Sequence, residues 1–188
     1  MAKIGLKNFY YSVATEDATT GALTYSGATK PGKAISFTFE PNVSSATLYA
    51  DDALAESDTS VNGGSCTMGI DREDPTTFAA LLGHETSGGI VTSNVDDIAP
   101  YVGLCRIVTI MQDGDLKYRA VFLPKVKFQE PSADNSTKGE TTEFGTYEIT
   151  GTVMPNGEGD WRKEQIFDTQ AAADAWIATL LGSTPVSS

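Results

Sequence analysis

The chain has 188 residues, 25 acidic against 13 basic side chains and a formal charge of −12, so it is sized for one domain and would repel duplex DNA rather than hold it at phosphate contacts. Its two cysteines, Cys66 and Cys105, belong to no CxxC pair or metal-spaced Cys/His set, and no apolar run reaches the roughly 18 residues of an ordinary membrane-spanning helix. A fold of this size buries roughly 70% of its unfolded surface and needs no disulfide or metal staple. The opening MAKIGLKNFYYS lacks a signal-peptide apolar core, which points to synthesis in a reducing cytoplasm with both thiols free.

Period-two alternation, the mark of strands with one buried face, begins at KAISFTFE, where Ile35, Phe37 and Phe39 share one side and Ser36, Thr38 and Glu40 the other. ATLYA repeats it with Ala46, Leu48 and Ala50, and SCTMGID with Cys66, Met68 and Ile70. Cys66 therefore reads as a small core hydrophobe rather than a nucleophile. In DPTTFAALLG, Asp74 caps a short helix, Pro75 takes its first position, Phe78, Leu81 and Leu82 form its apolar stripe and Gly83 ends it.

From Tyr101 to Phe128 two long strands flank Asp113-Gly114, a dipeptide that favours a tight hairpin turn. In the second strand Leu116, Tyr118, Ala120, Phe122, Val126 and Phe128 share one parity, and Lys117, Arg119, Lys125 and Lys127 the other. Pro124 implies a bulge or an edge halfway along. The stretch EPSADNSTKGE reads as a projecting polar loop, followed by a strand that places Tyr147, Ile149, Gly151 and Val153 opposite Thr146, Glu148, Thr150 and Thr152. In DTQAAADAWIATLLG, Ala173, Trp176, Ile177 and Leu180 fall at helical spacing, with Gly182 at the stop. The expected architecture is mainly β, a sandwich or flattened barrel flanked by one or two short helices. It forms a single domain over 1–182 with an N-terminal arm and projecting loops, and 183–188 is a disordered tail.

No catalytic signature stands out. His84, the only histidine, follows a helix end, where a hydrogen-bonding or cationic cap explains it. Carboxylates gather at Asp51 and Asp52, at Asp71, Glu73 and Asp74, at Asp96 and Asp97, and at Asp113 and Asp115. None has the ligand spacing of an EF-hand, and such pairs are common in turns, so calcium at one of them stays open. GxSxG, P-loop, dinucleotide and HExxH patterns are missing, and no cofactor is implied. An acidic pair placed as in a glycosidase stays open too, without a positive signal. Clustered exposed aromatics would mark a binding module, and Tyr10, Tyr11, Tyr49 and Tyr101 are the candidates. The row Lys117, Arg119, Lys125, Lys127 is the sharpest feature. It is either a subunit interface meeting acids such as Glu148 or those of another copy, or a solvated face with a lysine-protected edge.

The blocks AKIGLKNFYYSVATED, LYADDALAESDTS, DDIAPYVGLCRIVTIMQDGDLKYRAVFLPKVKF, EPSADNSTKGETTEFGTYEITGTVM and DWRKEQIFDTQAAADAWI resemble, in this order and over most of the chain, a major tail protein family of long-tailed siphophages. That resemblance implies a non-enzymatic tail-tube subunit located in the virion tail and assembled in the host bacterial cytoplasm. Six copies would close a ring, their inner strands would line one continuous β-barrel, and rings would stack around a tape-measure protein. Tail terminator and distal tail proteins would be further partners, and DNA would pass as non-specific cargo without any membrane contact.

Overall fold

The computed structural model describes residues 2–50, 53–132 and 146–183, and of residues 46–50 and 53–59 only the backbone is described. The expected loop around 133–145, the pair Asp51 and Asp52, and most of the tail lie outside the described residues.

Eight antiparallel strands form one sheet in the order β2-β1-β7-β8-β9-β4-β3, with β10 added alongside β8. Their ranges are β1 Ala2–Glu16, β2 Leu23–Tyr25, β3 Ala34–Ala50, β4 Ala53–Ile70, β7 Tyr101–Gln112, β8 Asp115–Phe128, β9 Tyr147–Met154 and β10 Lys163–Phe167. A separate small hairpin joins β5, Glu85–Ser87, to β6, Ile90–Thr92. The sheet curls until its two ends meet: Asn8 bridges Lys33, just before β3, and the Phe9 and Phe37 rings lie 5.9 Å apart. This is the mainly β, flattened-barrel architecture that the alternation implies.

Inside the curl, Phe9, Tyr11, Cys66, Met68, Ile70, Val102, Leu104, Val126, Phe128, Ile149 and Val153 form the main core. Helix α1, Pro75–Leu82, completes it with Phe78, Leu81 and Leu82. The helix begins as its sequence dictates, with Asp74 accepting from the Thr76 N–H and Pro75 in the first turn. Helix α2, Gln170–Leu180, caps the opposite face of β7 and β8, where Ala173, Ile177 and Leu181 pack on Cys105, Ile107, Ala120 and Phe122. Around Leu104–Cys105 and Ala120–Leu123 strands β7 and β8 are therefore covered on both faces, and these residues read as a nearly continuous apolar run.

The Asp113-Gly114 turn forms as expected, both residues having positive φ, at 55° and 92°, as a type I′ turn requires. Pro124 also marks a bulge, since the register shifts between Val102 and Leu104 opposite it. Before it, Ala120 and Phe122 face α2; after it, Val126 and Phe128 turn into the main core beside Leu123. The expected single side for Leu116, Tyr118, Ala120, Phe122, Val126 and Phe128 is thus corrected, because the extra residue in the bulge exchanges the two faces.

A similar irregularity separates Ala34 from Ser36 and leaves Ile35 47% exposed while Phe37 and Phe39 pack on the core. The expected common inward face of Ile35, Phe37 and Phe39 is corrected accordingly. The N-terminal segment expected as an arm is β1, paired with β7 from Ala2 to Ala14.

Strands β3 and β4 form one hairpin that outruns the rest of the sheet. Strand β9 pairs with β4 only from Gly64 to Ile70, so beyond the Pro41–Gly64 pair the two strands pair with each other alone. The departure point is built on Gly63, whose φ is +102° and where a Cβ would stand 2.1 Å from the Val153 carbonyl oxygen. Glycine meets both demands there.

Candidate assembly surfaces

The four basic residues of β8 do not form one row. Lys117 and Arg119 precede the bulge and lie on the Val121 face, where Lys117 pairs with Asp168 and Arg119 with Glu164 of β10. Lys125 and Lys127 follow it and lie on the other face. There the Lys125 ammonium sits 2.6 Å from Glu16 and 4.2 Å from the Tyr101 ring centre, and Lys127 lies 5.8 Å from the same ring. Glu148 is exposed on β9 opposite Gly69 and makes no ion pair among the described residues. Lys127 is aligned instead with Thr152. The bulge at Pro124 separates what simple alternation put together.

On the Lys117 and Arg119 face a cleft of about 440 Å³ opens between β1, β3 and β8. Its walls carry Ile4, Leu6, Ile35 and Phe37, and its basic groups are Lys3, Arg106, Arg119 and Arg162. The Arg106 guanidinium lies 3.9 Å above the Phe37 ring centre, and its buried Nε has no hydrogen-bond partner among the described residues. Burial, helped by the nearby charges of Arg119 and Arg162, lowers the Arg106 pKa to about 10, so the group remains cationic at neutral pH. Glu164, shared by Arg119 and by Arg162 at 3.7 Å, is held below the usual carboxylate range by Arg119 first. Arg106 had a sequence signal, a lone charge inside YVGLCRIVTI. Arg162 joins it only through the pairing of β10 with β8.

Other candidates resolve into structure. The His84 ring bridges Asp97 at 2.7 Å and Glu130 at 3.1 Å, and its pKa is raised chiefly by the hydrogen bond to Asp97. It ties the 94–97 turn to the segment after β8, beyond a simple helix cap. Burial pushes the Cys66 thiol up to about 12 and Cys105 well above its ordinary value. Both are core side chains. Asp97 accepts from the Asn94 N–H at 2.8 Å, as turn carboxylates do, whereas Asp71 accepts at long range from the Lys33 N–H at 2.7 Å, beside the start of β3. Among the described residues no group of three or more His, Cys, Asp or Glu is arranged to hold a metal ion. Tyr11 is 6% exposed, Tyr10 donates to Asp174 at 2.7 Å, and Tyr101 lies beneath Lys125. These three are spread through the sheet rather than forming a platform, and the Tyr49 side chain is outside the description.

Among the described residues, the outer part of the β3–β4 hairpin runs beyond the sheet, and the loop between β6 and β7 carries strongly exposed apolar side chains. In that loop Val95 is 99% and Ile98 77% exposed. Comparison with models of known protein families finds no match, and comparison with curated proteins finds none either.

Proposed function

We propose that the chain is a non-enzymatic structural subunit that assembles with copies of itself into the tail tube of a long-tailed phage. Rings, six-membered by the resemblance, would stack into a channel for genome delivery. The observation that carries this reading is the β3–β4 hairpin. From Pro41 to Ala50 its first strand runs beyond the sheet, a reach of about 30 Å at the usual rise per strand residue. A two-stranded ribbon is marginal by itself in water, and among the described residues the outer part of β3 pairs with β4 alone. Such an element gains stability when another surface covers it, and identical subunits supply that surface repeatedly through heterologous contacts.

The charge supports the same reading. A subunit carrying −12 suits a conduit that must let phosphates slide without adhering. A tape-measure protein in the lumen, and terminator and distal proteins at the ends, are the partners this role entails. Electron microscopy of the purified protein tests it: rings or tubes of uniform width are expected, and a monodisperse monomer at high concentration under all salt conditions would overturn it.

A further inference from the structure

The cleft around Arg106 and the loop between β6 and β7 have complementary chemistry. The cleft offers aliphatic and aromatic walls and four cationic groups, two of which, Arg119 and Arg162, pair with Glu164 beside it. The loop offers two outward aliphatic side chains, Val95 and Ile98, with exposed Asp96 between them. Solvent exposure of two neighbouring large aliphatic groups on an ordered loop favours their burial elsewhere.

The loop is held in shape before any partner arrives. Asp97 accepts from the Asn94 N–H and pairs with His84. On the helix side, Gly83 ends α1 with φ +83°, and a Cβ there would come within 2.4 Å of the Ile98 carbonyl oxygen. A preorganised loop loses little conformational freedom on docking.

The two features cannot meet within one chain. The loop leads into Tyr101 at the start of β7, whereas the cleft is lined by Arg106 and Val108 further along that strand. It is also lined by Lys3 to Leu6, and the Lys3 end of β1 pairs with the far end of β7 at Ile110.

We infer that the Val95–Ile98 loop of one copy docks in the Arg106 cleft of a second copy, placing Val95 and Ile98 against its apolar walls and Asp96 among its arginines. The contact joins two different surfaces and is therefore heterologous, the kind that repeats into rings or filaments rather than closing as a twofold dimer. It rests on the reading of the chain as a self-assembling subunit and specifies which surfaces meet.

Cysteine cross-linking tests it. Ile35→Cys and Val95→Cys are exposed substitutions at the cleft and the loop, and the buried Cys66 and Cys105 do not compete. The two variants, prepared separately and checked for unchanged circular dichroism, are mixed under assembly conditions and mildly oxidised. Disulfide-linked dimers are expected in the mixture and lost when either variant is left out. Val95→Asp is expected to abolish assembly while keeping the fold. Assemblies that yield no mixed disulfide, or Val95→Cys subunits that cross-link only to each other, overturn the docking while leaving the tail-tube reading intact. A protein that stays monomeric at every concentration overturns both.

Discussion

His84 is the residue whose titration matters most at the loop between β6 and β7. Its pKa is raised, so the protonated ring stabilises the fold fully below its unfolded value of about 6.5, and this contribution is lost as pH rises through the higher folded value. Asp97 is depressed, first by the Asn94 N–H and then by His84. Its contribution is present above an unfolded pKa of about 3.9 and fades as pH falls through the folded value. The tie is strongest between these limits. In thermal melts His84→Ala should therefore widen the gap from the parent more at about pH 5.5 than at about pH 8.5; an equal gap at both would show that the ring acts by packing alone. The buried cysteines give a second check at this scale. An aromatic disulfide reagent at about pH 8 should leave both thiols untouched in the native protein and titrate both after unfolding.

Among the elements, β8 shows how one residue decides what an entire strand presents. Removing Pro124 would take the extra residue out of the bulge and turn Val126 and Phe128 from the core toward the outer face, with Lys125 and Lys127 inward. The expected result is loss of cooperative unfolding and of near-ultraviolet dichroism. Gly63→Ala should cost about 1–3 kcal/mol, the usual range for a residue forced into unfavourable backbone geometry, with the Val153 contact adding to it; urea denaturation measures this. Much of the element map was legible in the residues: the Asp113-Gly114 turn, the Asp74-Pro75 helix start, and the inward faces of Cys66, Met68 and Ile70. Face assignments failed at the bulges near Ile35 and Pro124, because strict alternation presumes an unbroken register. Strand β1 went unread because Lys3, Lys7 and Asn8 interrupt its apolar pattern, and its burial comes from pairing with β7. Strand β10, KEQIF, is almost wholly exposed and carries no periodic signal, so the cleft it helps to build was invisible as well.

For the whole molecule, the body and the outer hairpin are separable demands. The core lies within the curled sheet and its helices, so replacing residues 45–59 by Asn-Gly, which joins the paired Ser44 and Ser60, should leave the melting temperature of the subunit nearly unchanged while removing its ability to form tubes. Retained tube formation would show that the ribbon is dispensable and that assembly runs through other surfaces. The double burial of β7 and β8 has a further consequence, in the time domain. Backbone amides of Leu104 and Cys105, and from Ala120 to Leu123, lie at the centre of the sheet where core side chains pack on both sides. They should exchange with deuterium only through global opening, whereas those of the outer β3–β4 ribbon exchange through local fraying. Assembly would then leave an isotopic signature, slowing exchange in the ribbon and the 94–98 loop while the central pair keeps its pace relative to global unfolding.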